Sequence, residues 1–255
     1  MSQRNRSPLK DKPLRNPGQS AEERLWDVLY DRLLPPFAIA LFLLVMAGME
    51  WWRYFFPLPP NPGLHTVVAA LALGYAVFRL VRSLPEIRAL RQGRDGERAV
   101  GQFLERLREK GYQVFHDVVG TGFNVDHILI GPAGIYTVET KTYSKPEKGD
   151  SKIVFEGETL LVNGRTPERN PIVQARAQAR WLRELLAEGT GKRFPVMPVI
   201  LFPGWFIEQG KDTTRDLWVL NPKALPEFLE RQPNALAAED VKLASFHLSR
   251  FIRTK

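Results

Sequence analysis

Three side chains in the stretch NVDHILIGPAGIYTVETK could together act on a phosphodiester. Asp126 opens one apolar run; Glu139 and Lys141 close the next, two residues apart, so that on a strand they point to the same side. The tight GPAG segment between Gly131 and Gly134 lets the two runs fold back as a hairpin, which could carry Asp126 toward Glu139 and Lys141 at its far end. Two carboxylates converging there repel one another and resist ionisation unless a cation lies between them. Magnesium or manganese, which favour oxygen donors and keep several waters, fit that role. Lys141, aimed at the same spot, would either stabilise the charge developing on a phosphorane-like state or orient and help deprotonate the attacking water. An E-x-K triplet is a common surface pattern. Its weight here comes from the apolar run GIYTV, whose burial leaves a charged pair at its end hard to read as solvated decoration.

The chain has no cysteine, which excludes a disulfide framework, a thiolate metal site and a cysteine nucleophile. A formal charge of +8 favours an anionic partner, nucleic acid or anionic lipid. No G-x-x-x-x-G-K-[ST] loop is present to bind ATP phosphates, and no zinc-finger or helix-turn-helix pattern stands out to read bases.

The elements around the hairpin follow from periodicity. Arg94 to Lys110 places Val100, Phe103, Leu104 and Leu107 on one helical face and ends at Gly111. A strand from Tyr112 precedes the Asp126 hairpin, and KIVFEG with ETLLVNG forms a second hairpin. A helix from Pro171 to Leu186 follows, with Asn170 as its cap and Pro171 at its first position. VMPVILFPG and LWVL read as short strands, and Pro222 to Arg231 and Ala237 to Arg253 as closing helices. This order predicts an α/β fold, a mixed sheet flanked by helices.

Ahead of it lie two uncharged runs. Leu33 to Met49 is followed at once by Trp51, Trp52, Tyr54, Phe55 and Phe56, as at a bilayer interface. Pro57 to Phe78 opens with the turn PLPPNPG and stops at Arg79 and Arg82. They predict a transmembrane hairpin. Arg4, Arg6, Lys10, Lys12 and Arg15 precede the first span, and Arg79, Arg82, Arg88, Arg91 and Arg94 follow the second, so both termini are expected in the cytoplasm. A cleaved signal peptide fits badly, because the apolar run begins behind a long polar segment. The expected organisation is a disordered basic N-terminus over 1–32, the hairpin over 33–82, a nuclease-like domain over 93–205, and C-terminal elements over 206–255 that complete it.

On GRDGE with Glu97, on the segment carrying Asp126, Glu139 and Lys141, and on NPIVQARAQARWL with Gln174 and Gln178, Gly93 to about Trp205 resembles the nuclease-related (NERD) domain, a branch of the PD-(D/E)xK nuclease superfamily. The resemblance implies a restriction-endonuclease-like fold, with Glu97 completing the metal site and Gln174 a further active-site member. His127 also belongs to the family pattern, yet it alternates away from Asp126 on a strand and reads as structural. Val125 stands where the superfamily's name has proline, a departure common among NERD domains. TYSKPEKGD lacks the expected glycine after the aromatic residue and reads as a longer basic loop able to contact phosphates.

The expectation is therefore a nuclease held at the inner membrane through two spans, its soluble part facing the cytoplasm. Mg2+ or Mn2+ would be its cofactor and nucleic acid its partner, DNA favoured over RNA, with a homodimer through Gly74 as one oligomer the hairpin could form. A non-catalytic nucleic-acid scaffold on the same fold is the competing expectation; a lipid-binding domain is a third.

Overall fold

The structure, a computed structural model, describes residues 16–56, 62–120, 122–145, 152–167, 170–210 and 214–254. The basic tail over 1–15, the turn around 57–61 and residues 146–151 of the basic loop lie outside the described residues. The chain divides into two compact units, Ser20–Gln92 and a second that joins Met1–Gln19 to Gly93–Lys255.

The first unit holds α1 (Gln19–Asp27), a π-helical turn (Val28–Leu33), α2 (Leu34–Phe55) and the first part of α3 (Pro62–Glu105). Helix from Gln19 corrects the expectation of disorder through residue 32: Leu25, Val28 and Leu33 recur at helical spacing and are buried in one small cluster with Ile87. Arg32 pairs with Glu86 at 2.7 Å, and the Trp51 indole N–H donates to Thr66 Oγ1 at 3.1 Å, so the two arms are tied at both ends. Between these ties the buried positions are small, Ala40 and Ala47 on α2 and Ala69 and Ala76 on α3, while large apolar side chains such as Leu41, Phe42, Val45, Leu71 and Phe78 stand exposed. The stretches Gln19–Phe55 and Thr66–Lys110 are long and apolar enough to cross a membrane. The amphipathic helix expected from Arg94 is the end of α3, which runs through Pro85 and passes into a 3-10 turn over Arg106–Lys110.

The second unit is built on a five-stranded sheet ordered β1-β2-β3-β6-β8: β1 (Gln113–Val119), β2 (Asn124–Gly131), β3 (Gly134–Thr140), β6 (Val196–Leu201) and β8 (Trp218–Leu220). The first three pair antiparallel, and Gly131↔Gly134 closes the expected hairpin. β3–β6 and β6–β8 pair parallel. Between β3 and β6 lie β4 (Lys152–Glu156), β5 (Thr159–Val162) and α4 (Pro171–Thr190). The hairpin β4–β5 forms as expected and gains a parallel partner the sequence did not announce, β7 (Phe206–Gln209). A 3-10 turn over Pro222–Ala224, α5 (Leu225–Glu230) and α6 (Ala238–Thr254) close the chain.

Two apolar layers sandwich the main sheet. Ile128, Ile130, Ile135 and Val196 meet Ala179, Leu182 and Leu186 of α4 and Ala244 and Leu248 of α6. On the other side Leu129, Tyr136, Val138 and Val199 meet Val100 and Leu104 of α3 and Leu225 and Leu229 of α5. The strands are apolar on both faces, as a sheet covered on both sides requires. Helices on both faces of a mixed sheet are the architecture the sequence predicted.

Candidate active site

Polar groups enter this packed interior where β3 ends. Glu139 is 3 % exposed, yet every oxygen of its carboxylate is met by a donor. Lys141 Nζ donates to Glu139 Oε1 at 2.6 Å and to Gln174 Oε1 at 3.0 Å, and Gln174 Nε2 donates to Glu139 Oε1 at 2.7 Å, closing a triangle of three side chains. One helical turn on, Gln178 Nε2 donates to Glu139 Oε2 at 2.6 Å and to the Asn124 carbonyl at 3.0 Å. Both of those partners are acceptors only, which fixes the amide's orientation and leaves the buried Gln178 Oε1 without a donor among the described residues.

The local sequence accounts for each placement. Asn170 caps α4, its Oδ1 accepting from Ile172 N at 3.0 Å with Pro171 at the first position, as expected, and this start aims Gln174 and Gln178 at the strand end. Lys141 N donates to Leu201 O at 2.9 Å, so the β3–β6 pairing continues one residue past β3 and holds Lys141 in place. Asp126 Oδ2 accepts from the Thr140 N–H at 2.7 Å, which ties the first acid to the peptide between Glu139 and Lys141. Gly96 explains GRDGE: a Cβ there would lie 1.8 Å from Thr142 Oγ1, so only glycine lets α3 approach the chain just beyond Lys141. That approach brings Glu97 within the electrostatic reach of Glu139 and Lys141.

The electrostatics follow from burial. Burial first, then the charges of Asp117 and Glu139, push the Glu97 carboxyl up to about 7. Asp126 is driven well above the usual carboxylate range by burial, then by Glu139 and Glu97, with the Thr140 N–H and Lys141 opposing. Burial alone would lower the Lys141 ammonium, but the charge and hydrogen bond of Glu139, with Asp126, leave it raised, so Lys141 is a cation at neutral pH.

The structure thus brings Glu139, Lys141 and Gln174 into direct contact, sets Asp126 one peptide away, and places Glu97 in their field. It engages His127 elsewhere. His127 is fully buried with its Nδ1 2.9 Å from His116 Nδ1, and His116 Nε2 lies 2.7 Å from Glu105 Oε1. Burial, then the neighbouring His116, hold the His127 imidazole well below its usual range. His116 is likewise lowered by burial, against the opposing pull of Glu105. A neutral His116 that donates to Glu105 can only accept at Nδ1, so His127 Nδ1 is the donor between the rings. Two residues had no role assigned from the sequence. Gln178 sits one turn from Gln174 in the same motif; Asp117, buried beside Glu97, carried no recognisable signal.

The acidic groups offer oxygen, the donor type that Mg2+ and Mn2+ take, and burial with neighbouring negative charge raises Glu97 and Asp126, as happens to carboxylates where a cation belongs. In donor chemistry they fit such an ion. Among the described residues no three of them are gathered into a ready-made ligand set, because Glu139 is closed onto Lys141, Gln174 and Gln178.

Comparison with known proteins finds a match over the region that carries these residues. An uncharacterised protein of Bacillus anthracis is 39% identical over 57 residues, 20% of this chain and 27% of that protein, so the chain spans about a quarter of that relative's length. No solved structure matches. The family model described as nuclease-related domain matches residues 92–203, which begins at the end of α3 before Glu97 and closes just after β6. Residues 92–203 of this chain are a nuclease-related (NERD) domain.

Proposed function

We propose that the chain is a membrane-anchored, metal-dependent nuclease that hydrolyses phosphodiester bonds on the cytoplasmic side, with DNA favoured over RNA. The observation that carries the reading is the contact of Lys141 with Glu139 and Gln174 beside Asp126, inside a nuclease-related domain. Asp126 and Glu139, with Glu97, would hold Mg2+ or Mn2+. Such an ion supplies charge neutralisation at the phosphate and a bound water of lowered pKa.

The chain's own residues do the rest. Lys141, kept cationic by Glu139, offers positive charge to the phosphate oxygens as negative charge grows on them, a role that suits it better than taking a proton from water. Gln174 holds both members of the Glu139–Lys141 pair, so that the lysine stays aimed when Glu139 turns to other partners. Gln178, locked by the Asn124 carbonyl, keeps Glu139 from swinging into the core. The wall of apolar side chains from β6 and α4 keeps bulk water from screening these charges.

Anchoring is supported by α2 and α3, whose outward faces carry large apolar side chains along a length able to cross a membrane. The arginines from Arg79 to Arg94 that follow the second apolar run favour a cytoplasmic C-terminal domain.

The test is to incubate the detergent-solubilised full chain with supercoiled plasmid, linear duplex, single-stranded DNA and RNA in Mg2+ or Mn2+, with EDTA and Lys141→Ala controls. Cutting that needs the metal and is lost in the variant is the expected result. One observation favours a second reading, a nucleic-acid scaffold that cleaves nothing: Glu139 already has all its hydrogen bonds satisfied within the chain. Salt-sensitive binding without cutting would select it.

A further inference from the structure

We infer that the chain has a second binding site, a cavity of about 420 Å³ at the opposite end of β3 from Glu139, and that it takes a nucleotide, the base on an apolar floor and the phosphate on Arg180 and Arg183. The shortness of β8 explains the opening. β8 lies at the edge of the sheet and its three residues pair only with residues 199–201 of β6. Among the described residues no strand therefore flanks the start of β6, residues 196–198, on that side. The cavity lies in this gap. Gly134 and Ile135 at the start of β3 line it, and Glu139, Lys141 and Gln174 do not.

Its walls differ in chemistry. Tyr136 and Trp218, their ring centroids 5.3 Å apart, join Met197 and Pro198 in an apolar floor. Arg176, Arg180 and Arg183 line it from α4 at a spacing of four and three residues, which sets them on one flank of the helix. Gln174 and Gln178 leave the other flank toward Glu139. Arg176 is matched by Glu158 and Asp216, both of which pair with it. Asp216 is the acid among the lining residues, so three arginines meet one carboxylate there. Arg180 and Arg183 are exposed and have no acidic partner among the described residues. Like charges one turn apart on a helix repel, and a phosphate between them turns that repulsion into attraction. The guanidinium fork matches phosphate oxygens in pairs. An inorganic anion would use the arginines alone, whereas a nucleotide also lays the flat face of its base against Trp218. The volume falls within the roughly 300–1,000 Å³ usual for small-molecule sites.

The test is calorimetric titration of the full chain in detergent micelles with adenosine monophosphate, with inorganic phosphate and with adenosine. EDTA is present throughout, so that no metal carries the phosphate to Asp126 and Glu139. The double variant Arg180→Gln, Arg183→Gln should bind adenosine monophosphate about 10- to 100-fold more weakly than the wild type. Both positions are exposed on α4, so the fold is kept. Arg106→Gln with Arg250→Gln removes the same charge outside the cavity and should leave the affinity unchanged. Phosphate and adenosine should each bind more weakly than the nucleotide. No binding of adenosine monophosphate by the wild type, or equal affinity in the Arg180 and Arg183 variant, overturns the inference. Inorganic phosphate bound as tightly as the nucleotide overturns the assignment of its class.

Discussion

The two units of this chain invert each other's rules. In Ser20–Gln92 the large apolar side chains Leu41, Phe42, Val45 and Leu71 stand in the open, and the buried positions between the ties are alanines. In the unit built from Gly93–Lys255 the apolar residues are packed away, and acids stand among them: Glu139 and Asp117 inside, Glu97 and Asp126 half-buried. Exposed hydrocarbon is unfavourable in water and buried carboxylate unfavourable in protein. The first arrangement suits a bilayer; in the second, Glu139 is met within the chain by Lys141, Gln174 and Gln178, and the acids around it offer the oxygen donors a cation takes. The two halves of the proposed function, anchor and cation site, are read from this contrast.

The largest effects should come from attacking the first cost. Arginines introduced at Phe42 and Val45 each oppose membrane insertion by about 2.5–3.5 kcal/mol. The double variant should leave the carbonate-washed membrane fraction, while Phe246→Arg, at an exposed position of the other unit, should not change partitioning. If the double variant stays with the membrane, α2 is not a span.

Next comes the charge at the site. Lys141→Ala and Glu139→Gln should each slow metal-dependent cleavage of labelled duplex on the order of 100- to 1,000-fold without altering membrane partitioning. Comparable rates in variant and wild type would remove both residues from the chemistry.

Two smaller effects test how the acids are held. Gly96→Ala should lower stability by about 1–3 kcal/mol, because the new Cβ would collide with Thr142, and Thr142→Gly in the same chain should recover much of it. Thermal melts of the single and double variants decide this. Gln178→Leu should cost about 1–3 kcal/mol, since Glu139 Oε2 and the Asn124 carbonyl both lose their donor. A melt unchanged from the wild type would mean that these bonds contribute nothing net.

The smallest effect is one of pH. The Glu97 carboxyl, raised from 4.5 to about 7, keeps its proton in the folded chain while the unfolded chain releases it. The stability this group contributes is present below pH 4.5 and is lost as pH rises through about 7. In chelator, Glu97→Gln should therefore gain thermal midpoint relative to the wild type as pH is raised across that window. A constant difference between the two would show that Glu97 titrates normally.

Much of the site was legible because strand chemistry is local. Glu139 and Lys141 declared themselves by alternation at the end of an apolar run, Asp126 by the tight turn that folds the hairpin back, and Asn170–Pro171 by the cap that starts α4. What the sequence hid depends on pairing between distant segments. Asp117 comes near Glu97 only through packing between distant segments, and its left-handed backbone has no signature in HDV. β7 is four residues, FIEQ, and is a strand only because β4 is there to pair with it. The helix over Gln19–Asp27 was masked by its polar residues, since its apolar face becomes meaningful only with Ile87 in place. Gln178 was in view beside Gln174 in the same motif, but its contact with Glu139 exists only once α4 packs against the end of β3.

The central claim is that the acids around Glu139 are arranged for a cation. The most direct test is the thermal midpoint of the full chain in lipid nanodiscs, measured in EDTA and in Mn2+, for the wild type and for Glu139→Gln. The account predicts a midpoint that rises with Mn2+ in the wild type and rises much less in the variant. Equal midpoints with and without Mn2+ in the wild type, under conditions where the chain is folded, would contradict it.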